Sequence, residues 1–305
     1  MDPSFSLTDA EVTALRTQRL LSFRDDAVFR LEGPGTTDCL QGLLTNDVLA
    51  GGDQGLVWGA LLTPKGMILT DAWVRREGPT AATVIVPAIA QTEVRALFHR
   101  VLPPRLARAS DLTGMVTVGW FIGHAPEPAQ DRGVVCPHGP APFSALRLSR
   151  DSREDVRRLE RIGWTMVPSS FGEASKLLLG WPTLGREIDE RTMIQEVRFD
   201  ELEGVRYDKG CYTGQETVAR LHFRGHPNRL LRGISWPEGA SPDSAEVTAA
   251  GKAVGTLATV AKLGARTLAL AVLRREVGVG DQVEAGEAEA TVTELPFPFE
   301  PPLVA

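Results

Sequence analysis

The sequence predicts an α+β protein: two α/β lobes over residues 1–228 (about 1–110 and 111–228), then a small all-β barrel over 229–305. Three observations lead there. At 305 residues the chain exceeds one typical domain. Up to residue 228, strand-like apolar runs interleave with helical spacing. From Leu230 onward short strand-like runs alternate with Gly, Pro and Asp turns and no helical period follows, the pattern of a barrel.

The elements follow in order. Leu7 to Phe23 predicts a helix: Thr8 caps it, Glu11 completes a capping box, and Val12, Leu15 and Leu20 form the apolar face. Ala27 to Leu31 reads as a strand, and Cys39 to Leu44 as a helix after Thr37-Asp38, with Cys39 in the core. Gly55–Leu62 and Met67–Val74 are apolar runs joined by Thr63-Pro64-Lys65-Gly66, a β-hairpin. Thr83–Val86 is a strand, and Ile89–Val101 a helix with Val94, Leu97 and Phe98 on one face. Met115–Ile122 starts a second α/β pass. Residues 125–142, rich in Pro and Gly, read as loop. Phe143–Leu148 is a strand, Ser152–Ile162 a charged helix, and Phe171–Gly180 a helix ended by glycine. Five barrel strands are expected: Leu230–Trp236, Ala245–Ala250, Ala253–Val260, Thr267–Val272 and Ala288–Glu294.

Composition narrows the function. Hydrophobic residues make up 43% and charged residues 24% of the chain, as in a globular core-forming protein. No apolar run reaches the ~18–20 residues of a membrane helix. Met1-Asp2-Pro3-Ser4-Phe5 lacks the basic start of a signal peptide, so a cytoplasmic protein without a membrane partner is expected. A net charge of −6 argues against a direct nucleic-acid partner. Three scattered cysteines, Cys39, Cys136 and Cys211, form no disulfide framework and no C-x-x-C pair. His222 and His226 stand four apart, but Gly225 and Pro227 argue against a shared helical face for a zinc ion. One cysteine cannot hold an iron–sulfur cluster, which usually takes four ligands. The chain alone therefore offers no metal site, and Cys211 is at most one transient cluster ligand.

The richest chemistry lies in Lys209-Gly210-Cys211-Tyr212-Thr213-Gly214-Gln215-Glu216. Two glycines among six reactive or polar side chains predict a shaped loop. Thr217 to Arg224 is expected to enter a short strand, and Gly225 to Asn228 a turn. Arg206 to Arg232 holds six Lys/Arg and two acids, a basic island on an acidic chain. Positive charge beside a thiol raises its thiolate fraction, so Cys211 is a candidate functional thiolate with Lys209 as its stabiliser. The alternative is a packed structural cysteine beside a solvated basic face.

The octet, followed by Val218-Ala219-Arg220 and Phe223-Arg224-Gly225, resembles the signature of the YgfZ family. These are folate-binding relatives of the glycine-cleavage T-protein, linked to iron–sulfur protein maturation. Leu40–Val48, Gly59–Ile68, Gly180–Ile188, Ile194-Gln195-Glu196 and Gly251–Leu257 resemble further blocks of that group. The resemblance implies a three-lobed T-protein-like ring around a folate-sized cavity. It implies tetrahydrofolate or a derivative as cofactor, and iron–sulfur client or assembly proteins as partners. Asp71, Asn46, Asp47, Lys65, Tyr212, Gln215, Glu216 and Arg224 are the implied folate-binding candidates. Three positions depart from the group's pattern: Thr70-Asp71 replaces a pair of acids, Ala27 follows Asp25-Asp26 where a tryptophan often stands, and Lys176 stands where arginine is frequent. A conventional enzyme is not the expected reading. If the chain is an enzyme, it is an aminomethyltransferase with Asp71 as general acid/base; a non-catalytic folate sensor is the third possibility.

Overall fold

Residues 3–52, 55–122, 134–135 and 145–298 are described by the computed structural model. The first part of the chain runs β1 (Phe5–Leu7), α1 (Asp9–Thr17), β2 (Leu20–Arg24), β3 (Asp26–Glu32) and α2 (Thr36–Gln41). It continues through the hairpin β4 (Leu56–Leu62) and β5 (Ile68–Arg76), then β6 (Ala81–Pro87), α3 (Gln91–Val101), β7 (Arg108–Asp111) and β8 (Thr117–Ile122). Next come β9 (Val134–Val135), β10 (Ala145–Ser149), α4 (Ser152–Arg161), β11 (Thr165–Met166), α5 (Ser169–Leu179) and α6 (Gln215–Arg224). The last six strands are β12 (Arg229–Ser235), β13 (Glu246–Ala249), β14 (Lys252–Leu263), β15 (Arg266–Arg274), β16 (Gln282–Ala285) and β17 (Ala288–Thr293). Apart from β9, the stretch read as loop over 125–142 lies outside the described residues.

Three sheets result. One five-stranded sheet has the order β4-β5-β6-β3-β7 and another the order β11-β2-β8-β10-β9. The last six strands close into a barrel, because β14 pairs with both β13 and β15, and β1 adds in parallel to the far end of β14. The fold is thus mixed α/β with a closed C-terminal barrel. The chain cuts across a division at residue 110: β1 joins the barrel and β2 lies between β8 and β11 in the second sheet. Local composition carries no sign of such long-range pairing.

Several elements differ from the sequence reading: β16 is a sixth barrel strand where five are expected, α2 runs Thr36–Gln41 rather than Cys39–Leu44, and two larger differences follow. The first helix has its capping box, with the Glu11 N–H on Thr8 Oγ1 (3.3 Å) and the Thr8 N–H on Glu11 Oε2 (2.8 Å), but it stops at Thr17. Leu20 and Leu21 are buried as strand residues instead; tertiary pairing overrides helical spacing. The stretch 217–224 is helix α6, not strand. Gly214 caps it in the left-handed conformation, Val218 packs inward, and Gly225 ends it. The β-branched pair Thr217-Val218 suggested strand locally, but its inward face has helical spacing.

The barrel is tied to the rest of the chain by polar contacts at several points. Buried Glu187 accepts from the Thr259 hydroxyl of β14 and from the Thr183 N–H. Arg229, which opens β12, places Nε 3.1 Å and Nη2 3.3 Å from the buried Glu196 carboxylate. Arg198 donates through Nη1 to the Leu179 and Gly180 carbonyls at the end of α5, and through Nη2 to the Leu295 carbonyl beyond β17.

At the junction of the two five-stranded sheets, aromatic side chains fill the interior. Trp58 stacks on Phe199 (4.2 Å between centroids) and meets Trp181 (4.3 Å). Trp73 lies parallel to Trp181 (5.8 Å, 9°) and meets Trp120 (5.6 Å). All five side chains are buried. Rings of this size provide much of the apolar area that holds separate sheets together.

Candidate functional site

The Lys209–Glu216 loop is fixed from both ends. The Lys209 ammonium donates to three backbone carbonyls, those of Gln41 (2.8 Å), Leu44 (2.7 Å) and Asn46 (2.8 Å). An ammonium has three N–H donors, so all are engaged. The acceptors belong to the end of α2 and the segment after it, where helix carbonyls lack intrahelical partners and favour a cation. Burial pushes the Lys209 amine down to about 8, with nearby Asp47 opposing that shift. All three Lys209 donors therefore hold the loop. The ammonium also lies 5.2 Å from the centre of the Tyr212 ring.

Beyond Cys211 the chain turns into α6. The Thr213 N–H donates to the Gly42 carbonyl (3.0 Å), and the Tyr212 N–H to Gln215 Oε1 (3.0 Å). Gly214, at φ +82°, rests on the β4–β5 hairpin; a Cβ there would stand 2.7 Å from the Thr63 carbonyl oxygen. Gly66, at φ +83°, answers it from the hairpin turn, where a Cβ would meet Thr217 Cβ at 2.8 Å. Two backbones touch here, and only glycine permits it. Gly210 has open space around it. Between these anchors Cys211 is exposed, as a free thiol.

The structure sorts the remaining sequence candidates. Asn46 is buried and engaged on every side: Nδ2 donates to the Trp58 and Glu203 carbonyls (both 2.7 Å), and Oδ1 accepts from the Asp47 N–H (2.8 Å). Asp47 Oδ1 accepts from Gln41 Nε2 (2.6 Å) and the Leu49 N–H (2.9 Å). Burial works to raise the Asp47 carboxyl, but these bonds and the Lys209 and Arg206 charges hold it below the usual range. Tyr212 is a buried core residue, its phenol pushed up to about 12 chiefly by burial. Asn46, Asp47, Tyr212 and Gln215 thus build the loop. Lys65, Glu216 and Arg224 are exposed, at the hairpin tip and at the two ends of α6.

Asp71 stands apart from that loop, within the aromatic interior. It is 4% exposed. Its Oδ2 accepts from Trp58 Nε1 (3.2 Å), whereas Oδ1 is buried with no hydrogen-bond partner. Burial pushes the Asp71 carboxyl up, opposed by the charge of Lys176. Burial likewise pushes the Lys176 amine down. No ion pair within 4 Å joins the two among the described residues. Asp26 completes the group, bound by Trp120 Nε1 (3.0 Å) and Arg24 (3.4 Å).

Sequence reasoning singled out Lys176 only as a departure from the group's arginine; its burial near Asp71 was not foreseen. Sequence reasoning missed a surface cluster beside α6. Tyr207 donates to Asp200 Oδ1 (2.6 Å) and stacks on His222 (3.6 Å, 19°), whose Nδ1 lies 3.8 Å from Asp200. His222 therefore belongs to this cluster. Among the described residues no three His, Cys, Asp or Glu side chains gather as a metal site, and no helix is long and apolar enough to cross a membrane.

Comparison with known proteins adds three findings. Residues 229–297 match the family model described as "CAF17, C-terminal beta-barrel domain". The tRNA-modifying protein YgfZ of Pectobacterium atrosepticum is 24% identical over 92% of this chain and 91% of its own, and its Aliivibrio fischeri counterpart is 33% identical over 38% of each. The mitochondrial iron–sulfur cluster assembly factor IBA57 homolog of Neurospora crassa is 26% identical over 77% of this chain and 56% of its own. Among solved structures, the glycine cleavage system aminomethyltransferase T from Bartonella henselae superposes with a TM-score of 0.80. That superposition covers 95% of this chain and 89% of the other at 14% identity. The fold is that of the aminomethyltransferase T-protein.

Two outcomes are expected. Lys209→Met leaves three carbonyls without their donor and should destabilise the protein by about 2–4 kcal/mol in denaturant unfolding. For Asp71 the carboxyl is raised, so its contribution to stability is full below about pH 4 and is lost as pH rises through the raised value. Asp71→Asn should therefore be more stable than wild type at pH 7–8, by about 1–2 kcal/mol, with the difference closing toward pH 4. Thermal melts across that range check it.

Proposed function

Because the chain belongs to the YgfZ family, we propose that it is a folate-binding accessory protein for iron–sulfur cluster assembly or repair in client enzymes, working through the Cys211 loop. The observation that carries this reading is an exposed thiol on a loop anchored at both ends. Cys211 would bind cluster iron as a thiolate, its proton passing to solvent as the iron–sulfur bond forms. The other cluster ligands come from the client or a small molecule, since a cluster usually takes four. Arg220 and Arg224, exposed on α6, add positive charge to the approach of an anionic cluster.

The folate part rests on Asp71. A buried carboxylate oxygen without a partner, among tryptophan rings, suits the paired N–H donors of a pterin. Bound reduced folate would supply a one-carbon-carrying or redox-active ring. Trp58 and Trp73 must part to admit it, because they pack against each other and their neighbours. The printed names of the relatives, tRNA modification and cluster assembly, meet if a client is an iron–sulfur enzyme acting on tRNA; this chain then needs no contact with RNA. An aminomethyltransferase would use Asp71 as its general acid/base, and glycine-cleavage activity lost in Asp71→Ala would favour it.

Cys211→Ser should cut client iron–sulfur enzyme activity at least about tenfold while the melting temperature stays put, because the side chain is exposed. Tetrahydrofolate titration should show unchanged affinity in that variant and a loss of about tenfold or more in Asp71→Ala. Full client activity with Cys211→Ser would remove the thiol from the account.

A further inference from the structure

One cavity away from the site above has a lining of two distinct chemistries. Helix α3 and the edge strand β7 diverge around a space of about 460 Å³. That lies within the ~300–1,000 Å³ usual for small-ligand sites. Its floor is apolar, built from the buried side chains of Phe29, Phe98, Leu102 and Ala107. Phe29 and Phe98 meet edge to face at 5.5 Å, a rigid base for an apolar ligand.

The rim is basic. Arg95, His99 and Arg108 line it, with Asp111 as the one acid. Asp111 is already engaged: its Oδ2 meets Arg95 (2.9 Å) and Gln91 (3.0 Å), and its Oδ1 accepts from the Thr113 N–H (2.9 Å). Arg108 donates its Nε to the Pro104 carbonyl (3.2 Å), which fixes the guanidinium plane at the mouth. Among the described residues, neither Arg108 nor His99 has an ion-pair partner. The sequence repeats this bias: residues 94–110 hold four arginines and one histidine and no acid, on a chain of net charge −6.

An apolar floor under a cationic mouth selects its ligand by two separate criteria. A small hydrophilic anion cannot use the floor, and an apolar cation is repelled at the rim. We propose that the groove between α3 and β7 binds a small amphipathic carboxylate, with its acyl body on the Phe29–Phe98 floor and its head on Arg108 and His99. Arginine suits the head because its planar fork matches a carboxylate. The site is separate from Cys211 and Asp71 and does not rest on the function proposed for them.

The test uses the whole chain and three probes in titration calorimetry: decanoate, decyltrimethylammonium and inorganic phosphate. Amide NMR shifts map where each binds. Decanoate should bind, with shifts confined to α3 and residues 102–111. Decyltrimethylammonium and phosphate should each bind at least about tenfold more weakly. The exposed substitution Arg108→Glu should weaken decanoate about tenfold or more, with the circular dichroism spectrum unchanged. Equal binding of the two decyl probes, phosphate binding as tightly as decanoate, shifts elsewhere, or an unaffected Arg108→Glu would each overturn the proposal.

Discussion

One ammonium group organises the Cys211 loop of this chain. Lys209 reaches across some 165 residues of sequence to three carbonyls at the end of α2 and just beyond it. Those carbonyls would otherwise face the interior unpaired, a cost of about 1–3 kcal/mol each. The same contact fixes where the chain enters the Cys211 loop. Downstream, the Gly214–Gly66 contact fixes where it leaves. A loop held at both ends presents its middle in one place, and the middle is a thiol open to solvent.

The aromatic interior makes a different kind of site. Asp71 is buried beside Trp58 with one oxygen unsatisfied, and Lys176 is buried near it. Both groups are pushed toward neutrality by burial. Such an arrangement costs stability in the folded chain, and perturbed buried carboxylates cluster where ligands or chemistry need them. The two centres thus differ in kind: one is exposed and anchored, the other buried and under-satisfied.

Much of this was legible in the sequence, for identifiable reasons. The β4–β5 hairpin, the Thr8 capping box and five of the six barrel strands follow from local period and turn residues; the short β16 does not. Cys211 and Asp71 stood out by residue type and by the blocks around them. What stayed hidden depends on contacts between distant segments. The roles of Lys209 and Asn46 require knowing that residues 41–47 lie against residues 203–213. Sequence position alone puts Lys209 near the thiol; which carbonyls its ammonium reaches depends on segments far away in the chain. The entry of β2 into the second sheet and the helical state of 215–224 were lost the same way, because burial of one face overrode local propensity.

The central claim is that the Lys209 clamp presents Cys211 for work on client proteins. The most direct measurement is client iron–sulfur enzyme activity in cells whose only copy is Lys209→Met, with protein levels matched to wild type. Cys211 is still present in that variant, and matching the levels of folded protein separates lost presentation from the lost stability. Activity falling to the level of the Cys211→Ser variant is the predicted result. Activity equal to wild type would show that the thiol works without the clamp and would contradict the account.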